Sequence, residues 1–83
     1  MKVHIKYFAS IREAIGVPGE QLETTAATLG ELRTALFAHS AAHAQSLAHG
    51  RALRMALNQV MAEESTALTD GAEVAFFPPV TGG

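Results

Sequence analysis

No cysteine occurs among the 83 residues, which excludes a disulfide framework, a thiolate metal site and a thiol nucleophile together; any sulfur chemistry would have to use sulfur brought from outside. Positive charge is scarce as well. Six Lys and Arg stand against eight Asp and Glu, a net charge of -2, and without a basic stripe to neutralise a phosphate backbone no nucleic-acid partner is expected. Long apolar runs are missing, and Lys2, His4 and Lys6 interrupt the first apolar stretch. Neither a membrane span nor a secretory signal is read, and a cytoplasmic location is expected. No glycine-rich loop has phosphate-binding spacing, and no internal repeat or linker divides the chain. The length leaves room for one domain with a modest core, not for a two-domain enzyme with a deep cleft. What is present, 48% apolar and 17% charged residues, is the balance of a globular chain.

Residues 2 to 8 alternate, with Val3, Ile5 and Tyr7 on one face, the period of a half-buried strand; Phe8 falls on the other face with Lys2, His4 and Lys6. Ser10 stands three residues before Glu13 as a capping box, and Ile11, Ala14 and Ile15 form a short helical stripe closed by Gly16. Val17-Pro18-Gly19 is turn chemistry, and a second strand from Glu20 to Thr25 is expected to pair with the first. Thr28 and Glu31 repeat the capping box ahead of the main helix, whose apolar face is Leu29, Leu32, Ala35 and Leu36. Residues 41 to 48 either extend that helix or form a loose further turn. Leu53, Met55 and Leu57 point inward from a third strand, Asn58-Gln59 turns the chain into Val60-Met61, and Leu68-Thr69-Asp70-Gly71 precedes a last strand from Glu73 to Phe77 that Pro78-Pro79 must end. Strand, short helix, strand, main helix and further strands make an α+β roll, a mixed sheet with helices on one face and the first and last strands side by side at its centre.

The ending is chemically suggestive. A chain end that threads a narrow channel needs residues without Cβ, as Gly82-Gly83 provide, while Pro78-Pro79 favour an extended exit. A carboxylate is a poor electrophile; activation with ATP to an acyl-adenylate lets a sulfur nucleophile convert it to a thiocarboxylate. For the dipeptide alone the bland reading, a frayed tail, is the better one.

The run from Leu68 through Phe76-Phe77-Pro78-Pro79-Val80-Thr81-Gly82-Gly83 resembles the ending of molybdopterin synthase small subunits. Asn58-Gln59 before a short strand, and Phe8-Ala9 followed by Arg12-Glu13, are similar to the same family at the same places. The resemblance covers essentially the whole chain and is weakest from Ala38 to Ala52. It implies a β-grasp, ubiquitin-like fold over residues 1–78 with an extended, flexible tail over 79–83. It also implies activation of Gly83, next to Gly82, by an ATP-dependent adenylating enzyme and loading by a sulfur donor protein. The tail of the carrier then docks into a larger catalytic subunit, in a heterotetramer that makes the molybdopterin dithiolene from cyclic pyranopterin monophosphate. The carrier itself holds no cofactor, and the catalytic side chains belong to the larger subunit. Sulfur carriage for thiamin thiazole or transfer-RNA thiolation, a ubiquitin-like modifier, and an interaction module with an idle tail remain as alternatives.

The strand phases support docking. With Val3, Ile5, Tyr7, Val74 and Phe76 inward, Phe8 and Phe77 are left together on the opposite face; by resemblance Met61 adds a third apolar contact, and Pro78, Pro79, Val80 and Thr81 continue the partner-binding surface. Arg12 and Arg54 read as solvated charges. His39 and His43, spaced i, i+4 with His49 nearby, raise a zinc site, but residues 39 to 49 supply no cysteine or carboxylate; no metal is expected, and these read as exposed helix-end histidines. Ser10 reads as a cap, Ser40 has no Ser-His-Asp context, and Glu63-Glu64 read as solvated loop charges.

Overall fold

A computed structural model of the chain describes residues 1–48 and 52–79. Five strands, β1 (Lys2–Tyr7), β2 (Gly19–Glu23), β3 (Arg54–Leu57), β4 (Val60–Ala62) and β5 (Glu73–Phe77), form one mixed sheet in the order β2-β1-β5-β3-β4. β1 and β5 run parallel at its centre with Tyr7 opposite Phe76, and the other neighbours are antiparallel. Three helices, α1 (Ala9–Ile15), α2 (Leu29–Leu36) and α3 (Ala41–Ser46), complete the β-grasp architecture. Of residues 41–48, Ala41–Ser46 thus form a helix of their own, which the Ser40 side chain caps by accepting from the His43 N–H.

The alternation in β1 and β5 sends Val3, Ile5, Tyr7, Val74 and Phe76 into the core, where Ile11, Leu29, Leu32, Leu36 and Leu47 meet them. The open face keeps His4, Lys6, Ala75 and Phe77. Thr28 caps α2 as expected, its Oγ1 accepting from the Glu31 N–H at 3.2 Å. The first helical N–H groups, which have no partner inside the helix, reach across to a neighbouring loop: Leu29 donates to the Thr66 carbonyl and Gly30 to that of Glu64.

Three local expectations change. The cap of α1 is Phe8, not Ser10, and no side chain accepts there. The Phe8 carbonyl instead receives the Ile11 and Arg12 N–H groups while its own N–H donates to Phe76, so β1 passes directly into the helix. On α2, Ala35 is exposed and Arg33 is buried in its place. Glu64 is more than a solvated charge, since it pairs with the Arg33 guanidinium at 3.2 Å.

Candidate functional site

β5 is the element that builds the site. It carries Phe76 into the core and Phe77 onto the helix-free face, then ends at Pro78-Pro79. Because β1 lies parallel to it with Tyr7 opposite Phe76, the next residue of each strand meets its counterpart: the Phe8 and Phe77 rings pack edge to face, centroids 6.3 Å apart at 88°. Phe8 remains 45% exposed and Met61, from β4, 56% exposed; it is their grouping in one patch that marks an interaction surface. Both line an open groove of about 720 Å³ with Phe77, Pro78 and Pro79, over a floor that includes Ala56 and Ala75.

Lys6 and Glu73 form the charged side of this groove, Nζ to Oε1 2.6 Å. The Lys6 hydrogen bond, aided by its charge and opposed by burial, holds the Glu73 carboxyl below its usual range. Asn58 closes the same end: its N–H donates to the Glu73 carbonyl and its Oδ1 accepts from the Glu73 N–H. Both Asn58 (φ 50°) and Gln59 (φ 71°) take the left-handed conformation that a tight two-residue hairpin turn requires. The expected contact residues Phe8, Met61, Phe77, Pro78 and Pro79 therefore share one groove. Val80, Thr81, Gly82 and Gly83 lie outside the described residues, as does the tail expected over 79–83 apart from Pro79. Arg12 and Arg54 are exposed and do not line the groove.

A polar cluster that the sequence reading missed sits at the edge of the sheet. The Tyr7 hydroxyl donates to Glu20 Oε2 at 2.6 Å, and His43 Nε2 lies 2.8 Å from the same oxygen. Ser40 Oγ lies 2.8 Å from His43 Nδ1. Burial alone would raise the Glu20 pKa, but the hydrogen bonds from Tyr7 and His43 and the nearby His43 and His39 charges outweigh it and hold the carboxyl below its usual value. Burial first, then the Glu20 hydrogen bond and charge, push the Tyr7 phenol far up. His43 is accordingly buried, not the exposed helix-end residue expected, because its carboxylate arrives from β2 and not from its own stretch of chain; His39 is exposed. Ser40 does have a histidine and a carboxylate in line, although its oxygen is engaged as the α3 cap. The available signal was Tyr7 itself, an inward strand tyrosine whose hydroxyl needs a buried partner.

Among families of known proteins, the ThiS family matches residues 5–83. The molybdopterin synthase sulfur carrier subunit of Escherichia coli (strain K12) is 40% identical over 81 residues, which is 98% of this chain and 99% of that protein. Two solved structures align with it closely. The small archaeal modifier protein 1 of Haloferax volcanii matches with a TM-score of 0.74 and 28% identity over 100% of both chains. A chain from the complex of subunits 1 and 2 of molybdopterin-converting factor from Helicobacter pylori 26695 matches with a TM-score of 0.69 and 28% identity, again over 100% of both chains.

Proposed function

Because the chain belongs to the ThiS family, we propose that it is the sulfur-carrier subunit of a molybdopterin synthase, delivering sulfur on Gly83 to a larger catalytic subunit for molybdenum cofactor biosynthesis in the cytoplasm. The observation that carries the reading is the exposed Phe8–Phe77 pair in an apolar groove at the point where β5 ends in Pro78-Pro79. Such a patch is the anatomy of an interface core, and the Helicobacter pylori structure matched by this chain is a complex of two subunits.

In this proposal the domain presents and orients, and does no bond chemistry with its side chains. An adenylating enzyme spends ATP to convert the Gly83 carboxylate to an acyl-adenylate with release of pyrophosphate. The terminal sulfur of a donor protein's persulfide then displaces AMP, and a second thiol attacks the donor's own sulfur, breaking the S–S bond to free the thiocarboxylate and leave a disulfide on the donor side. The absence of cysteine means that no side-chain thiol of the carrier competes for the activated end. Docked in a heterotetramer through Phe8, Met61, Phe77 and the segment Pro78, Pro79, Val80 and Thr81, the carrier feeds Gly82-Gly83 into the larger subunit, where cyclic pyranopterin monophosphate receives the sulfur. No cofactor is held by the carrier in this scheme.

Co-expression with an adenylating enzyme and a sulfur source, followed by intact mass measurement, tests it: one oxygen at Gly83 is replaced by sulfur, and the loaded carrier forms molybdopterin with the large subunit. Loading without molybdopterin formation would assign the sulfur to thiamin thiazole or transfer-RNA thiolation. Likeness to an archaeal modifier protein favours one further reading, conjugation through Gly83, which would appear as isopeptide-linked adducts in place of the thiocarboxylate.

A further inference from the structure

The cluster at the sheet edge has a second property that sulfur carriage does not use. Glu20 on β2, His39 in the turn after α2 and His43 on α3 place one ligand atom each within 4.8 Å of one another. We propose that these three residues bind a single divalent transition-metal ion of the zinc class, with solvent completing the coordination.

Two imidazole nitrogens and one carboxylate oxygen form a donor set suited to zinc. Ligand atoms around one tetrahedral zinc ion stand about 3.3 Å apart, given metal–ligand distances of about 2.0–2.2 Å. His43 Nε2 and Glu20 Oε2, at 2.8 Å, are already that close, and the exposed His39 side chain supplies the closing movement.

The surrounding contacts are those that orient metal ligands. Ser40 Oγ lies 2.8 Å from His43 Nδ1, and a proton held on Nδ1 leaves the Nε2 lone pair for the ion. The Tyr7 hydroxyl fixes Glu20 from the core side, and Tyr7 is itself 1% exposed. Two ligands are thus set by the packed interior, while His39 leaves a solvent approach. An ion here ties the α2–α3 turn and α3 to β2, one of the two edge strands of the sheet.

The competing account is an ion pair between Glu20 and His43 that holds no metal, to which His39 supplies no ligand atom, so His39 decides between them. Removing the buried His43 would disturb folding, whereas His39→Ala changes an exposed side chain; circular dichroism checks that its fold is intact. The full chain is titrated with Co2+ and Zn2+, with calorimetry for stoichiometry and visible absorption for the Co2+ site. One equivalent is expected to bind, with a visible Co2+ band that Zn2+ displaces. Affinity falls at least about tenfold in both His39→Ala and Glu20→Gln, and is unchanged in His4→Ala. No saturable binding, parent-like affinity in His39→Ala, or loss in His4→Ala would overturn the proposal.

Discussion

Phe8 and Phe77 are held edge to face by two central strands that each bury the preceding residue, Tyr7 and Phe76. Neighbouring positions in one strand therefore have opposite jobs. Phe76→Ala empties a fully buried site and is expected to cost about 3–5 kcal/mol, a large share of the stability available to a domain of this size. Phe8→Ala with Phe77→Ala leaves the core intact and a cooperative melt close to the parent's, but weakens binding of the large subunit by about 2 kcal/mol or more, roughly thirtyfold. Calorimetric titration against that subunit, beside a thermal melt, reads both.

Glu73 offers a pH test of the groove's charged side. Its folded pKa lies below the ordinary value of 4.5, first through the Lys6 hydrogen bond. The contribution of a depressed carboxyl is present above the ordinary value and is lost as the pH falls through the folded one. An NMR titration should give a Glu73 midpoint below 4.5 that moves upward in Lys6→Ala and in high salt, which screens an exposed pair. A midpoint indifferent to both changes would contradict the pairing.

Arg33 holds the end of α3. Its Nε and Nη2 donate to the carbonyls of Leu47 and Ala48, each at 2.6 Å, from a side chain that is almost entirely buried. Arg33→Ala strands those carbonyls and is expected to cost about 3 kcal/mol. Arg33→Lys, with a point charge in place of a planar fork, should recover only part of it. Urea denaturation of both variants measures the difference.

Gly19 faces β1 so closely that an added Cβ would stand 2.5 Å from the Ile5 carbonyl oxygen. The obstacle is backbone in a central strand and cannot swing aside, so Gly19→Ala is expected to destabilise by about 1–3 kcal/mol. Faster amide exchange should appear first along the β1–β2 pairing. Unchanged exchange at Ile5 and Lys6 would show that β2 shifts without loss.

Much of this molecule is legible in its sequence because its signals are local. Alternation at Val3, Ile5 and Tyr7, the Thr28–Glu31 cap and the diproline after Phe77 each state their own structure, and the strand phases place Phe8 beside Phe77. Residues whose partners are distant in sequence escaped. Glu20 reaches His43 across 23 residues, and Arg33 reaches Leu47 across 14. A histidine or arginine read from its neighbours alone looks solvated; only chain topology reveals the carboxylate or carbonyl that buries it. The Phe8 cap escaped for the converse reason, since its backbone is satisfied by sheet pairing and leaves no side-chain signature.

The strand order has a consequence for biosynthesis. β5 is the last strand to be made, yet it alone joins β1 and β2 to β3 and β4. Until β5 is made the chain holds two separate strand pairs, each too small to be stable in isolation, and pairing between residues as far apart as His4 and Glu73 must wait for that strand. The strand that leads into Pro78-Pro79 is thus also the one that unites the sheet, so a chain cut short of Phe77 cannot complete the fold.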